Sequence, residues 1–376
     1  MTTSLQDSGT SRIKEIDGWR AISVLLVIFH HLGAFKFKSL TSSVPMATTI
    51  AHYAGPLGVE TFFVISGFVI CRMLMAEEQK TGWVSLKGFY FRRVFRILPA
   101  LWLYLVTCGV LLALGCIRDR WIAFFWASLF LFDLSRVPMS WFFGHTWSLA
   151  IEEQFYIIFP SLWVLVRKRW RSRVILALFV LCVLWNIEAV ATSPHVILVA
   201  SGPPGFAGIC CGVLMAIHEQ RARSIAKLVP GVVVALGGCM LILRPITSFD
   251  WRSAIYDGLV VPPVIALVLL FSMERGELLR RVLRSRVMQA IGVASYGIYL
   301  WQQLFTAPSD TFAKGGTVIP WLWPVLMLIV ASSYFWIEKP AIRFGQLLSK
   351  RAKQNGSREQ LKVEVRQGVE VNQEIG

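Results

Sequence analysis

Eleven apolar segments follow one another along the chain, and each is long enough, or nearly long enough, to cross a lipid bilayer. A helix needs about 20 apolar residues to span the hydrocarbon core, and only helices and closed barrels satisfy their backbone hydrogen bonds there. We therefore expect an all-α integral membrane protein. The segments lie at residues 18–38, 53–76, 96–116, 121–137, 146–166, 174–194, 199–217, 228–244, 255–273, 288–307 and 318–339.

The basic connections between these segments set the expected topology. Positively charged loops stay on the cytoplasmic side of a membrane, and all of them lie there if one of the first five segments does not cross. Segment 121–137 is one of the two shortest and carries Asp133 and Arg136 near its end, which favours a re-entrant or interfacial segment. We expect about ten transmembrane helices in the cell inner (plasma) membrane, with both termini cytoplasmic. The basic connections are residues 77–93, 167–173, 221–227, 275–286 and the C-terminal tail.

The composition excludes other classes of protein. Hydrophobic residues make up 55% of the chain and charged residues 16%, as in membrane proteins. The formal charge of +16 does not indicate nucleic-acid binding, because the basic residues recur in short runs between apolar segments. The seven cysteines show no metal-ligand spacing, so we expect no metal and no bound cofactor. Residues 1–345 form the predicted membrane domain, and residues 346–376 a disordered cytoplasmic tail.

The first apolar segment contains an ionisable pair, Arg20 and His31. His31 lies eleven positions after Arg20, which corresponds to about 1100° and about 16 Å on a helix, so both side chains share one face. If Arg20 lies at the cytoplasmic interface, His31 lies near mid-bilayer, where a polar side chain is costly unless it faces a protein interior. A functional role is one interpretation. The alternative is an interfacial anchor for Arg20 and a satisfied interior histidine for His31.

Three arginines, Arg92, Arg93 and Arg96, precede the third apolar segment. Guanidinium groups bind phosphate through forked, charge-assisted hydrogen bonds, and the phosphates of an acyl-coenzyme A would be a fitting ligand. Binding of lipid headgroup phosphate is the alternative.

A second cluster of ionisable residues lies near the start of the apolar segment 146–166. Glu152 and Tyr156 are four residues apart and His145 lies seven before Glu152, so these three share one side of a helix, while Glu153 points about 100° away. A carboxylate here would orient His31 and stabilise its protonated form, as a histidine general base requires. His145 and Tyr156 are further candidates for the site. The alternative for the carboxylates is an ion pair with Arg20 or Arg96 that only holds helices together.

Six motifs occur along the chain in the order that is typical of the membrane-bound acyltransferase family 3, and together they resemble that family. It contains bacterial carbohydrate O-acetyltransferases. Arg20 and His31 match the family's arginine, ten intervening residues and histidine. The resemblance covers residues 15 to about 345 and identifies residues 1–345 as an acyltransferase family 3 membrane domain. The motifs are residues 17–20 with His31, 58–68, 92–99, 145–156, 295–301 and 337–340.

The resemblance implies transfer of an acyl group to a hydroxyl of a carbohydrate or glycolipid acceptor, usually acetyl from cytoplasmic acetyl-CoA. Acetyl-CoA, or another acyl-CoA, is then a co-substrate. Arg92, Arg93 and Arg96 would hold its phosphates.

A compatible mechanism assigns the catalytic roles to four residues. His31 would take the proton from the attacking hydroxyl or pass the acyl group on covalently. Glu152 or Glu153 would set the tautomer of His31. Arg20 would steer the thioester end or pair with a carboxylate.

The sequence departs from the family pattern at two positions and leaves other functions open. Gln302 stands where the family usually has a histidine, and Glu60 stands where many members have aspartate. Gly58, Ser66 and Gly67 are interpreted as close-packing positions between helices. The alternative is that Ser66 is an acyl-carrying nucleophile, although it has no nearby base in the sequence. A polytopic transporter with an intramembrane His, Glu and Arg proton relay is the alternative function. A third possibility is an acyltransferase-like scaffold without activity.

Overall fold

The computed structural model of the protein describes residues 12–36, 45–135, 140–192, 197–242, 255–313 and 323–355. These ranges fold into helices joined by short connections, and their only β-type pairing is an isolated bridge between Ile117 and Phe312. The all-α prediction is confirmed. The helices are α1 (Lys14–His30), α2 (Pro45–Thr81), α3 (Leu86–Ala113), α4 (Trp121–Ser128), α5 (Thr146–Leu165), α6 (Arg171–Thr192), α7 (Ile197–Ile217), α8 (Glu219–Leu228), α9 (Gly231–Ile242), α10 (Val261–Glu274), α11 (Glu277–Leu283), α12 (Arg286–Thr306) and α13 (Trp323–Asn355).

Five stretches of the described chain are long and apolar enough to cross a membrane as single helices. Helices α8 and α9 would add a sixth span, but their axes bend by 105° at the break between them. A multi-pass membrane protein therefore follows from the structure, while the predicted number of about ten spans stays a prediction. The five stretches are Ile50–Thr81, Leu86–Ala113, Lys168–Ala189, Tyr256–Glu274 and Trp323–Asn355.

The short segment at 121–137 forms no long helix in its described part. Helix α4 has 8 residues, and a 3₁₀ turn at Phe132–Leu134 follows it. Eight residues rise only about 12 Å along a helix axis, less than half of the hydrocarbon thickness. α4 is therefore too short to cross by itself.

Helices α1, α5 and α12 carry most of the polar residues that the sequence analysis singled out. They contain 17, 20 and 21 residues, and α1 packs extensively against both α2 and α12. Their buried polar groups include Ser23, Ser148 and Gln302. Because polar side chains inside a membrane are costly unless protein surrounds them, these helices belong at the centre of the bundle.

The outward face of α3 shows why the remaining surface is apolar. Trp102, Val106 and Val110 recur every four residues and are exposed, whereas Leu101 and Leu105, about 100° around the helix, are buried. Residues four apart share a helix face. A soluble protein rarely exposes so wide an apolar surface, so this face of α3 suits contact with lipid tails.

Small residues bring the central helices into close contact. A Cβ at Gly67 in α2 would lie 2.0 Å from the Ile209 carbonyl oxygen in α7, and one at Gly212 in α7 would lie 2.0 Å from the Val64 carbonyl oxygen. Glycine allows helix backbones to approach this closely. The interpretation of Gly67 as a close-packing position is confirmed.

We expect Gly67→Ala to destabilise the protein, because its methyl group has no room at the α2–α7 crossing. Overpacking of this kind costs about 1–3 kcal/mol, and more where backbone must move. The thermal unfolding midpoint in detergent measures the effect. Gly238→Ala in α9 is the matched control, since its Cβ would meet no atom within 4 Å. Equal unfolding midpoints for Gly67→Ala and the wild type would contradict the packing argument.

The last helix, α13, continues past the boundary predicted at residue 346 and ends at Asn355, while the division into a membrane domain and a tail stays a prediction. The last turns of α13 are tied to the connection between α2 and α3. Lys353 Nζ lies 2.9 Å from Glu77 Oε2, and Arg92 donates to Ser349 Oγ at 2.5 Å. These contacts explain why polar residues beyond 346 remain helical. Residues 356–376 of the predicted tail lie outside the described residues.

Candidate active site

A cavity with about 890 Å³ of empty volume, part of it open to the outside, lies between α1, α2, α3, α5 and α12. One wall is apolar and includes Phe62, Phe63 and Leu149. The polar residues that line it are Arg20, Ser66, Arg93, Arg96, Ser148, Glu152, Glu153, Tyr156, Ser295, Tyr296 and Tyr299.

Glu152 is held by two hydroxyl groups. Ser66 Oγ donates to its Oε1 at 2.6 Å, and the Tyr156 hydroxyl lies 3.5 Å from its Oε2 and 3.2 Å from Ser66 Oγ. Ser66 comes from α2, whereas Glu152 and Tyr156 are one turn apart in α5. The close α2–α7 crossing at the neighbouring Gly67 fixes the position of α2 here.

The side chains of two half-buried arginines, Arg20 and Arg93, face this carboxylate. The Arg93 guanidinium carbon lies 4.6 Å from the centre of the Tyr156 ring, a favourable cation–π geometry. Arg20 lies within electrostatic reach of Glu152 and Asp17, and its Nε is buried without a hydrogen-bond partner. The cavity thus offers unused donors to a ligand.

The alternative of a purely structural ion pair is not supported for Glu152. Within the described ranges, the ion pairs lie elsewhere and include none of the charged residues that line the cavity. Glu152 therefore contacts hydroxyl groups rather than Arg20 or Arg96.

The three arginines near the start of α3 divide into two groups. Arg93 and Arg96 line the cavity, and the Arg96 side chain is exposed there. Arg92 points away: its guanidinium donates to Glu77 Oε2 at 3.1 Å and to Ser349 Oγ. The structure does not bring Arg92 together with the other two, because successive residues of a helix point about 100° apart.

His31 lies outside the cavity, farther along the helix bundle. It is close to His145 and Gln302, and we call these three residues the histidine level. The His31 ring faces the side chain of Gln302 and the carbonyl of Val27, and the ring centres of His31 and Trp141 are 5.5 Å apart. Gln302 is fully buried and takes the place where the sequence analysis noted a missing histidine. The structure brings Gln302, and neither glutamate, to His31.

His145 lies at the same level as His31 and also does not line the cavity. Both of its ring nitrogens are buried and find no hydrogen-bond partner among the described residues. Its ring packs against Tyr104 and Tyr299, with centres 5.4 and 5.6 Å apart. Glu152 is seven residues farther along α5, about 10 Å on a helix.

Tyr299 contacts both the cavity and the histidine level. Its hydroxyl lies 2.6 Å from Ser148 Oγ, which lines the cavity, and donates to the His145 carbonyl oxygen at 3.0 Å. The end of the cavity at Ser148 therefore adjoins the histidine level.

A buried carboxylate outside the apolar helices positions the start of α5. Asp119 accepts hydrogen bonds from Ser140 Oγ at 2.8 Å and from the Phe142 amide at 3.2 Å. Burial raises the pKa of Asp119 above its ordinary value. The short helical turn at Trp141–Gly144, and with it the beginning of α5, is fixed by these bonds.

The structure gathers six of the nine residues predicted for the site in one cavity and leaves out His31, His145 and Arg92. Sequence reasoning missed Tyr299 as part of the site, and it left Ser66 only as an alternative because the Glu152 partner was not visible. Ser66 stands inside a recognised motif, and that was the available signal, but its partner is 86 positions away. Within the described ranges, no three His, Cys, Asp or Glu side chains are placed to hold a metal ion.

Several O-acetyltransferases are similar to this chain. It is 28% identical over 366 residues to a provisionally named O-acetyltransferase of Staphylococcus aureus strain COL, covering 87% of this chain and 57% of that protein. It is 26% identical over 370 residues to the peptidoglycan O-acetyltransferase OatA of Listeria monocytogenes, covering 89% and 56%. The chain spans little more than half the length of these relatives. No solved structure matches it.

The family comparison covers most of the chain. The model described as "Acyltransferase domain" matches residues 13–337, which include all of the residues that line the cavity. The motifs at 17–31, 92–99 and 145–156 all fall within the match. The chain therefore belongs to acyltransferase family 3.

Proposed function

We propose that the chain is a membrane-bound O-acyltransferase that moves an acetyl group from acetyl-CoA to a hydroxyl of a carbohydrate or glycosylated acceptor. One observation carries the proposal: a single cavity places Arg20, Arg93 and Arg96 opposite the Glu152 carboxylate. Cations at such a site suit the phosphates and the developing oxyanion of a thioester donor. The names of the relatives support a carbohydrate acceptor and do not favour transport.

Arg93 and Arg96 bind the donor in this proposal. Both lie in the first half of α3, next to the basic connection that the positive-inside rule places in the cytoplasm. Their guanidinium groups are free of ion pairs among the described residues, whereas Arg92 is occupied by Glu77. We therefore assign the CoA phosphates to Arg93 and Arg96 and leave Arg92 out.

His31 acts on the acceptor. An imidazole removes a proton from a hydroxyl when it is held in one orientation, and the Gln302 side chain and the Val27 carbonyl supply that hold. Glu152 is too far along α5 to set its tautomer. The donor and the acceptor thus reach the protein at different levels of the bundle.

We propose the same membrane topology that the sequence predicts. About ten spans in the inner membrane, with both termini and the basic connections cytoplasmic, place Arg93 and Arg96 on the side where acetyl-CoA is made. The 121–137 segment remains the proposed element that does not cross. Its described part, with the 8-residue α4, agrees with this assignment.

The test uses inverted membrane vesicles that contain the full chain and receive acetyl-CoA labelled in the acetyl group. We expect the wild type to move label into the glycan or lipid fraction. We expect His31→Ala to lower that rate by about 10²–10⁴-fold, the usual contribution of a general base. His30→Ala is the matched control, because the His30 ring lies beside His31, with ring centres 5.2 Å apart, but contacts the Ala51 carbonyl at 2.9 Å instead of Gln302.

The outcomes separate the proposed function from its alternatives. If the inserted wild type moves no label, the acyltransferase proposal fails and the transporter gains support. If wild type and His31→Ala are equally active, the enzyme stands but His31 is not its base. Loss of activity in His30→Ala alone would exchange the roles of the two histidines.

A further inference from the structure

Ser66 occupies an unusual position for a serine in a membrane helix. Its hydroxyl faces the cavity and donates to the Glu152 carboxylate at 2.6 Å rather than to a carbonyl of its own helix. The Thr61 hydroxyl in the same helix makes the bond that is usual for a hydroxyl in a helix and donates to the Leu57 carbonyl, four residues earlier, at 2.8 Å. Ser66 therefore has a base in direct contact, which the sequence alone did not show.

The surroundings of Ser66 match those of an activated nucleophile. A serine hydroxyl becomes nucleophilic when a base within hydrogen-bond reach takes its proton and a third group orients the pair. Glu152 is that base, and the Tyr156 hydroxyl orients the pair, lying 3.2 Å from Ser66 Oγ. Arg93, which packs over the Tyr156 ring, keeps positive charge next to them.

The other serines that line the cavity lack this arrangement. Ser295 Oγ is buried without a hydrogen-bond partner. Ser148 Oγ is paired with the Tyr299 hydroxyl at 2.6 Å. Neither contacts a carboxylate, so Ser66 is the cavity serine with a base.

We propose that Ser66 carries the acyl group as a covalent ester between donor and acceptor. This inference rests on the proposed acyltransferase function and deepens it. Ser66 Oγ attacks the thioester carbonyl, its proton passes to Glu152, and the carbon–sulfur bond breaks. Coenzyme A leaves as a thiolate that takes a proton from water. The unpartnered Arg20 Nε stabilises the oxyanion of the tetrahedral intermediate.

The second half-reaction returns the enzyme to its starting state. The acceptor oxygen attacks the ester carbonyl of acyl-Ser66, and its proton passes to His31 through intervening water, because Ser66 and His31 lie at different levels of the bundle. The bond to Ser66 Oγ breaks, and that oxygen takes the proton from Glu152. His31 then releases its proton to water. Two half-reactions fit a bundle in which the donor cavity and the histidine level meet at Tyr299.

The order of these steps makes the intermediate trappable. His31→Ala blocks only the second half-reaction, so label from acetyl-CoA accumulates on the protein, up to one acetyl group per chain. The full-length chain is incubated, denatured and washed, and the label per chain is counted. Peptide mass spectrometry then locates the acetyl group. Neutral hydroxylamine separates a serine ester, which resists it, from a cysteine thioester, which does not.

Variants in the His31→Ala background assign the label. Adding Ser66→Ala or Glu152→Gln removes it, while adding Ser295→Ala, in the same cavity but without a base, keeps it. Adding Ser66→Cys restores a label that neutral hydroxylamine now releases. A serine that only oriented Glu152 would produce no such change of chemistry, and this variant also guards against misfolding of Ser66→Ala.

Three results would overturn the inference. Label that persists after Ser66→Ala places the intermediate on another residue. A wild type that acetylates its acceptor, with no label on His31→Ala, indicates direct transfer and leaves the proposed function intact. A wild type that moves no label to acceptor or protein removes the proposed function and this inference together.

Discussion

Arg93→Gln is expected to raise the KM for acetyl-CoA by about 10–100-fold, while Arg92→Gln leaves that KM unchanged. A hydrogen bond to a charged group contributes about 1.5–3 kcal/mol, and each 1.4 kcal/mol is a tenfold change in affinity. Arg93 faces the cavity and lies in none of the ion pairs formed by the described residues, so its charge is available to the donor. Glutamine removes that charge and keeps most of the side-chain length.

Arg92 provides a matched control one residue away. Its side chain, 21% exposed, binds Glu77 of α2 and Ser349 near the end of α13, so it joins α3 to both helices. Arg92→Gln should therefore lower the thermal unfolding midpoint without weakening donor binding. Initial rates over a range of acetyl-CoA concentrations measure both KM values. A larger rise in KM for Arg92→Gln than for Arg93→Gln would reverse the assignment made from the structure.

Glu152→Gln is expected to lower kcat by about 10²–10⁴-fold, the range for loss of a general base. The amide keeps the shape of the side chain and accepts the Ser66 hydrogen bond through its oxygen, but it cannot take the proton. KM for acetyl-CoA should change little, because Glu152 makes no contact suited to phosphate. Steady-state rates with saturating donor measure the effect.

Glu153→Gln tests whether catalysis needs the carboxylate that contacts Ser66 or only a negative charge in the cavity. Glu153 lines the same cavity, lies near Arg93 and is the next residue in sequence. It is not the carboxylate that Ser66 contacts, so its loss should cost far less in kcat. If Glu153→Gln lowers kcat more than Glu152→Gln does, the pairing of Ser66 with Glu152 is not the catalytic one.

The fold was largely predictable from hydrophobic length. Apolar runs of about 20 residues have few alternatives to a helix in lipid, so most predicted segments coincide with helices. The exceptions have local causes. Segment 121–137 is too short and polar at its end, and the last helix runs past residue 346 because Glu77 binds Lys353 from a distant part of the chain.

The sequence was less informative about which helix face each residue occupies. Helical spacing placed His145, Glu152 and Tyr156 on one side, yet only Glu152 and Tyr156 reach the cavity. His145 lies two turns away, where Tyr104 and Tyr299 enclose it. A shared face does not imply a shared site when residues are separated by about 10 Å along the axis.

The sequence by itself determined the class of the protein, an all-helical membrane protein of acyltransferase family 3. Apolar length and the order of the motifs are properties of the chain itself and do not depend on how the helices pack. The tertiary structure alone decided the partners: Ser66 with Glu152, Gln302 with His31 and Arg92 with Glu77. Helix packing sets these pairs. Close crossings at small residues fix how each helix is rotated, and no spacing within one helix encodes the rotation of another.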